Sequence, residues 1–125
     1  MTILVVDDDE AVRTGLRSVL DSEGYDVCMA ANGFEAEEEL RNSGADLVLV
    51  DMNMPVQNGW GTIARLRGIR PQIPIMIITA RPDQLRAAHA AGLELMEKPL
   101  EIPVLIERIA ALVHLAESPA GISAA

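Results

Sequence analysis

Asp7, Asp8, Asp9, Asp51, Thr79 and Lys98 are the residues of this chain with chemistry to offer, and each closes or follows a short apolar run. Singly, each has an ordinary explanation. Asp9 suits the N-cap of a following helix, whose first N–H groups want an acceptor. Asp7 and Asp8 suit helix-terminus acids or metal ligands equally well. Asp51 leads into Met52-Asn53-Met54-Pro55 and could simply form a turn. Thr79 could be an ordinary β-branched strand residue, and Lys98 a solvated lysine. Gathered at one rim, they mean something else. Massed carboxylates repel one another and raise their own pKa values unless a cation sits among them. Mg2+ is the expected ion for such an all-oxygen site, and Mn2+ suits the same ligands. Phosphoryl transfer asks mainly for positioning and charge neutralisation. A carboxylate nucleophile, a Mg2+, an ammonium and a hydroxyl donor meet that demand. His89 and His114 fall in helical stretches away from these runs and read as surface residues.

The elements that must gather these residues are written as alternating patterns. Apolar runs occur at Ile3 to Val6, Asp26 to Ala30, Leu47 to Val50, Ile75 to Ile78 and, more weakly, Leu93 to Met96. Between them Val12, Leu16, Val19 and Leu20 recur at helical spacing, as do Phe34, Ala36 and Leu40, and then Ile63, Leu66 and Ile69. A last helix shows Leu105, Ile109, Leu112 and Val113 on one stripe, with Pro103 near its start. Gly24, Gly44 and Gly92 stand where helices should end. Strands alternating with helices predict a parallel sheet covered on both faces, because parallel neighbours need a crossover connection. Runs such as Leu47-Val48-Leu49-Val50 agree, since such strands are buried on both sides. In an open parallel sheet, ligands sit beyond the carboxyl ends of the strands, where strand order reverses. Asp7, Asp51, Thr79 and Lys98 all fall at those ends.

At 125 residues the chain fits one domain. Residues 1–116 read as that domain, and 117–125 as a flexible tail or linker stub. Half of the residues are hydrophobic while Trp, Tyr and Phe occur once each, so the core must be aliphatic. A net charge of -9 argues against direct binding of a nucleic-acid backbone, which draws on Lys and Arg. Cys28 stands alone and reads as a small buried hydrophobe. The apolar run after Met1 is too short for a signal peptide or a membrane span, so the expected compartment is the cytoplasm.

Taken together, these segments resemble the receiver domain of two-component response regulators, over nearly the whole chain from Ile3 to about Leu115. The matching stretches are Leu4 to Asp9, Asp46 to Pro55, Asn58-Gly59, Ile75 to Ala80, and Lys98-Pro99. The resemblance implies a flavodoxin-like (CheY-like) doubly wound α/β fold, a five-stranded parallel sheet in the order 2-1-3-4-5. It implies that Asp51 is phosphorylated by a histidine kinase or histidine phosphotransfer protein, and that Asp8, Asp51 and the backbone carbonyl of Asn53 hold Mg2+. Asp7 then helps the metal through water, Lys98 contacts the phosphoryl oxygens, and Thr79 bonds to them in the switched state. The same likeness makes the chain a signalling domain rather than an enzyme, one that takes part in its own phosphorylation and slow dephosphorylation. An effector domain or downstream protein on the face of the fourth and fifth helices is a further implied partner.

The chain also departs from the family. Leu95 stands where a switch aromatic is usual, Leu100 where Phe commonly follows the Lys-Pro pair, and the stretch between Thr79 and Lys98 is a few residues short. Asn53 and Arg81 occupy positions where the family varies. Two other functions fit parts of the sequence. One is a Mg2+-dependent phosphatase with an aspartate nucleophile on the first strand, for which Asp7-Asp8-Asp9 has the acid-any-acid spacing but Ala11 replaces the wanted Thr or Val. The other is an interaction module that keeps the fold without using the phosphoryl group.

Overall fold

The computed structural model describes residues 1–52, 59–80 and 85–117, the side chains of Leu85 and of 114–117 excepted. Strands and helices alternate along it: β1 (Thr2–Val6), α1 (Glu10–Ser22), β2 (Asp26–Ala30), α2 (Gly33–Ser43), β3 (Leu47–Asp51), α3 (Gly59–Ile69), β4 (Ile75–Thr79), α4 (Leu85–Ala90), β5 (Glu94–Glu97) and α5 (Ile102–Glu117). All strand pairs are parallel, in the order β2-β1-β3-β4-β5. That is the doubly wound order expected. Residues 118–125 of the expected tail lie outside the described residues.

The strands separate two cores by alternation, because successive side chains of a strand point to opposite faces. Leu4, Val6, Val48, Val50, Ile75 and Ile77 pack with Ala36 and Leu40 of α2, Ile63 and Leu66 of α3, and Ala88 of α4. Ile3, Val5, Leu47, Leu49, Met76 and Ile78 pack on the other face with Leu16 and Leu20 of α1 and Leu105 and Ile109 of α5. Every residue of β3 and β4 is buried, as their continuous apolar runs require. Each large aliphatic side chain so buried contributes about 1.5–3 kcal/mol.

Three expectations need correction. Phe34 does not share the buried stripe of Ala36 and Leu40. Positions two apart on a helix lie about 200° around its axis. Gly33 takes the buried place, and Phe34 is 55% exposed with the Arg65 guanidinium 4.2 Å above its ring. Arg65 is held there by Glu37 at 3.0 Å. Cys28 is half-buried rather than buried, its Sγ 3.4 Å from Ser43 Oγ, and partial burial pushes its thiol above the usual range. The fifth strand begins at Glu94, one residue later than its apolar run. His89 is exposed, as expected, while the His114 side chain lies outside the described residues.

One buried group is at odds with its surroundings. Thr62 of α3 is fully buried, and its Oγ1 finds no hydrogen-bond partner among the described residues. An unsatisfied buried hydroxyl carries a desolvation penalty that a methyl of the same shape does not. Thr62→Val is therefore expected to stabilise the fold by about 1 kcal/mol. Urea unfolding reads this as a higher midpoint; a lower one means that the hydroxyl is bonded in solution.

Candidate functional site

Register brings the acids together. β1 and β3 are neighbours with Val6 opposite Val50, so Asp7, one residue past β1, emerges beside Asp51 at the end of β3. Between these strands the winding of the chain reverses, which opens a crevice at their carboxyl ends. The carboxylates of Asp7, Asp8 and Asp51 lie within 4.8 Å of one another there, Asp7 and Asp51 buried and Asp8 exposed. On the other flank Glu97 pairs with Thr79, and the Lys98 N–H donates to the Thr79 carbonyl at 2.7 Å. Lys98, following β5, sends its Nζ to 3.5 Å from Asp51 Oδ1. Thr79 is fully buried at the end of β4. Asn53, expected to lend a carbonyl, and Arg81 lie outside the described residues.

Asp9 does the work assigned to it. Its Oδ1 accepts the N–H groups of Ala11 at 2.9 Å and Val12 at 3.3 Å, capping α1. Its carboxylate is thereby engaged by the helix, and Asp9 is not one of the three acids grouped at the rim.

The donor set fits a hard divalent cation. Three carboxylates, two of them buried, offer only oxygens, and such a cluster asks for more positive charge than one lysine supplies. Burial pushes the Asp7 carboxyl from its ordinary 3.8 up to about 6. The Asp9 N–H, 2.9 Å from Asp7 Oδ1, works against this rise, and so does Lys98, while the charges of Asp51 and Asp8 add to it.

A pH dependence follows. An unfolded aspartate ionises near 4. Between about 4 and 6 the native chain therefore keeps a proton that the unfolded chain has released, and stability falls as pH rises through this window. Thermal melts in a chelator should show that decline, and Asp7→Asn should flatten it. Mg2+ needs the ionised carboxylate, so its stabilising effect should grow across the same window. A decline unchanged in Asp7→Asn assigns it to other groups.

Two residues at the site carried no chemical signal in the sequence. Gly59, noted only as part of a family match, opens α3 against the chain just after Asp51, its N–H 3.4 Å from the Met52 carbonyl. Arg13 reaches from α1 to the Asp7 carbonyl. An arginine in the second turn of an amphipathic helix looks like any solvated one.

Comparison with known proteins agrees with this geometry. The sequence model of the response regulator receiver domain matches residues 3–110. Response regulator MprA of a Mycobacterium species (strain KMS) is 36% identical over 115 residues, covering 90% of this chain and 50% of that protein. Transcriptional regulatory protein ZraR of Salmonella typhimurium is 36% identical over 127 residues, covering 98% of this chain and 29% of that protein. The chain thus spans half the length of the first and under a third of the second. Among solved structures, chemotaxis protein CheY4 of Vibrio cholerae superposes with a TM-score of 0.82 at 27% identity, over 89% of this chain and 97% of that one. Response regulator TrrA of Thermotoga maritima, solved with Mg2+ and BeF, gives 0.80 at 29% identity, over 89% of this chain and 97% of that one. With five parallel strands in the order 2-1-3-4-5 and its acids gathered at the switch point, the chain belongs to the receiver domain family of two-component response regulators.

Proposed function

We propose that Asp51 accepts a phosphoryl group from the phosphohistidine of a histidine kinase or histidine phosphotransfer protein, in a Mg2+-dependent reaction that switches an output surface. The observation that carries this is Asp51 itself: buried at the strand rim, within 4.8 Å of the Asp7 and Asp8 carboxylates, with Lys98 Nζ 3.5 Å away. An Asp51 oxygen attacks phosphorus, the phosphorus–nitrogen bond of the donor breaks, and the electron pair leaves with the imidazole, which takes up a proton. Asp8 and Asp51, with the Asn53 carbonyl, would hold Mg2+, and Asp7 would support it through water; Mn2+ would suit the same ligands. The bound ion supplies charge neutralisation at the phosphoryl oxygens. Lys98 adds a second cation from the β5 side, and Thr79 donates its hydroxyl to the phosphoryl oxygens once they are present.

The acceptor is stoichiometric. It takes part in its own phosphorylation and slow dephosphorylation but turns over no external substrate. Its output reaches an effector domain or downstream protein on the face of α4 and α5, where Ile102 and Val104 are exposed. No helix among the described residues is long and apolar enough to cross a membrane; the acidic charge speaks against direct nucleic-acid contact, and the place we assign the chain, beside its phosphodonor, is the cytoplasm. The test is mass spectrometry after incubation with acetyl phosphate and Mg2+. One phosphoryl group on Asp51 is expected, and its absence overturns the proposal.

A further inference from the structure

Three bonds pin the chain as it leaves β1. The Asp7 N–H donates to the Ala30 carbonyl of β2 at 3.1 Å, and Asp7 Oδ1 accepts the Asp9 N–H at 2.9 Å. The third comes from Arg13, whose Nη1 donates to the Asp7 carbonyl oxygen at 2.6 Å. That carbonyl belongs to the peptide joining Asp7 to Asp8. The first two bonds fix Asp7, and the third fixes the plane from which Asp8 departs. Asp8 is exposed, so its direction rests on its backbone rather than on packing.

We infer that Arg13 is a positioning residue for the divalent-cation site: by holding the Asp7–Asp8 peptide it sets the direction from which Asp8 offers its carboxylate. The inference rests on the metal reading above. A guanidinium on a carbonyl makes a charge-assisted bond, stronger than a neutral one, and residues that orient ligands in this way govern metal affinity without touching the metal. The alternative role, a counter-charge for the acidic rim, has the opposite sign. Removing a mere counter-charge leaves the site more negative and makes it bind a cation more tightly. Removing a positioning bond weakens it.

Calorimetric titration of the whole chain with Mg2+ separates the two. Arg13→Ala is expected to bind about tenfold more weakly than wild type, the scale of losses at groups that orient metal ligands. Arg13→Lys keeps the charge but loses the planar fork, and should fall between. Arg17→Ala is the control: it removes the same charge from the same helix, where Arg17 pairs with Asp21 at 3.6 Å in the open, and should leave affinity unchanged. Without metal, amide exchange at Asp9 should quicken in Arg13→Ala and not in Arg17→Ala, since the turn bonded through Asp7 loosens. Should Arg13→Ala not fold, Arg13→Lys against wild type carries the same comparison. A wild-type chain that binds no Mg2+ overturns the metal reading and this inference together. Wild-type binding with equal or tighter binding by Arg13→Ala overturns the inference alone.

Discussion

Asp51→Asn is expected to abolish acyl-phosphate labelling completely while the fold survives. The amide has nearly the shape of the carboxylate, so the close packing around a residue that is 4% exposed is kept. What goes is the proposed nucleophile and one proposed ligand of the cation, and no other carboxylate of the cluster occupies the end of β3. A second effect should accompany the first. The Asp51 charge raises the Asp7 carboxyl, so its removal lets Asp7 ionise at lower pH. Without Mg2+, one repulsive partner disappears from a cluster of three, while Lys98 loses an attractive partner at 3.5 Å. Relief of the repulsion from Asp7 and Asp8 is expected to outweigh the lost Lys98 attraction, because Lys98 is partly solvated and its pairing is screened. The variant should therefore melt higher than wild type in a chelator, and Mg2+, which rescues the wild-type rim, should narrow the difference. Labelling by acetyl phosphate that persists in the variant would assign the acceptor to another residue. A variant melting lower in the chelator would mean that the Lys98 pair outweighs the crowding.

Much of this site was legible in the sequence because it is made by strand ends. A parallel sheet with fixed register turns the last residue of each apolar run into a rim position, so Asp51 after Leu47 to Val50 and Thr79 after Ile75 to Ile78 could be placed from their runs alone. The N-cap at Asp9 was legible for the same local reason. Helix faces were less so. The stripe of α2 was drawn through Phe34 because that residue is large and apolar, yet Gly33 lies on the inner face and Phe34 instead supports Arg65 outside. Size and low polarity favour burial, but helical angle decides it, and Ala36 with Leu40 had already fixed that angle.

What stayed hidden were interactions between elements distant in the chain or invisible in a residue's type. The Arg13 bond to Asp7 depends on how α1 folds back over the end of β1, and arginine spacing along a helix does not encode it. Gly59 is the sharper case. Its sequence neighbourhood resembles a family motif, but only the approach of α3 to the end of β3 supplies the reason for having no side chain.

Gly59→Ala is expected to damage both stability and phosphorylation. An alanine Cβ there would run into Met52 Sδ and lie 2.8 Å from Met52 Cα and 3.1 Å from the Asp51 carbonyl oxygen. The sulfur can move, since a methionine side chain is flexible. The main chain of Met52 cannot move alone, because it continues directly from Asp51, the proposed phosphoacceptor, at the end of β3. Either the start of α3 backs away, opening its packing through the buried Ile63 and Leu66, or the end of β3 shifts and carries Asp51 with it. The first route costs about 1–3 kcal/mol, as overpacked cores do. The second displaces the proposed nucleophile, where a shift of about 1 Å can slow the chemistry on the order of a hundredfold. Urea unfolding and the initial rate of labelling by acetyl phosphate measure the two routes separately. Met52→Ala in the Gly59→Ala background divides the clash, because it removes the sulfur and leaves the main chain in the way. Only part of the loss should return. Full recovery would place the whole clash in the Met52 side chain, and wild-type behaviour of Gly59→Ala alone would mean that α3 can step back from β3 at no expense to either.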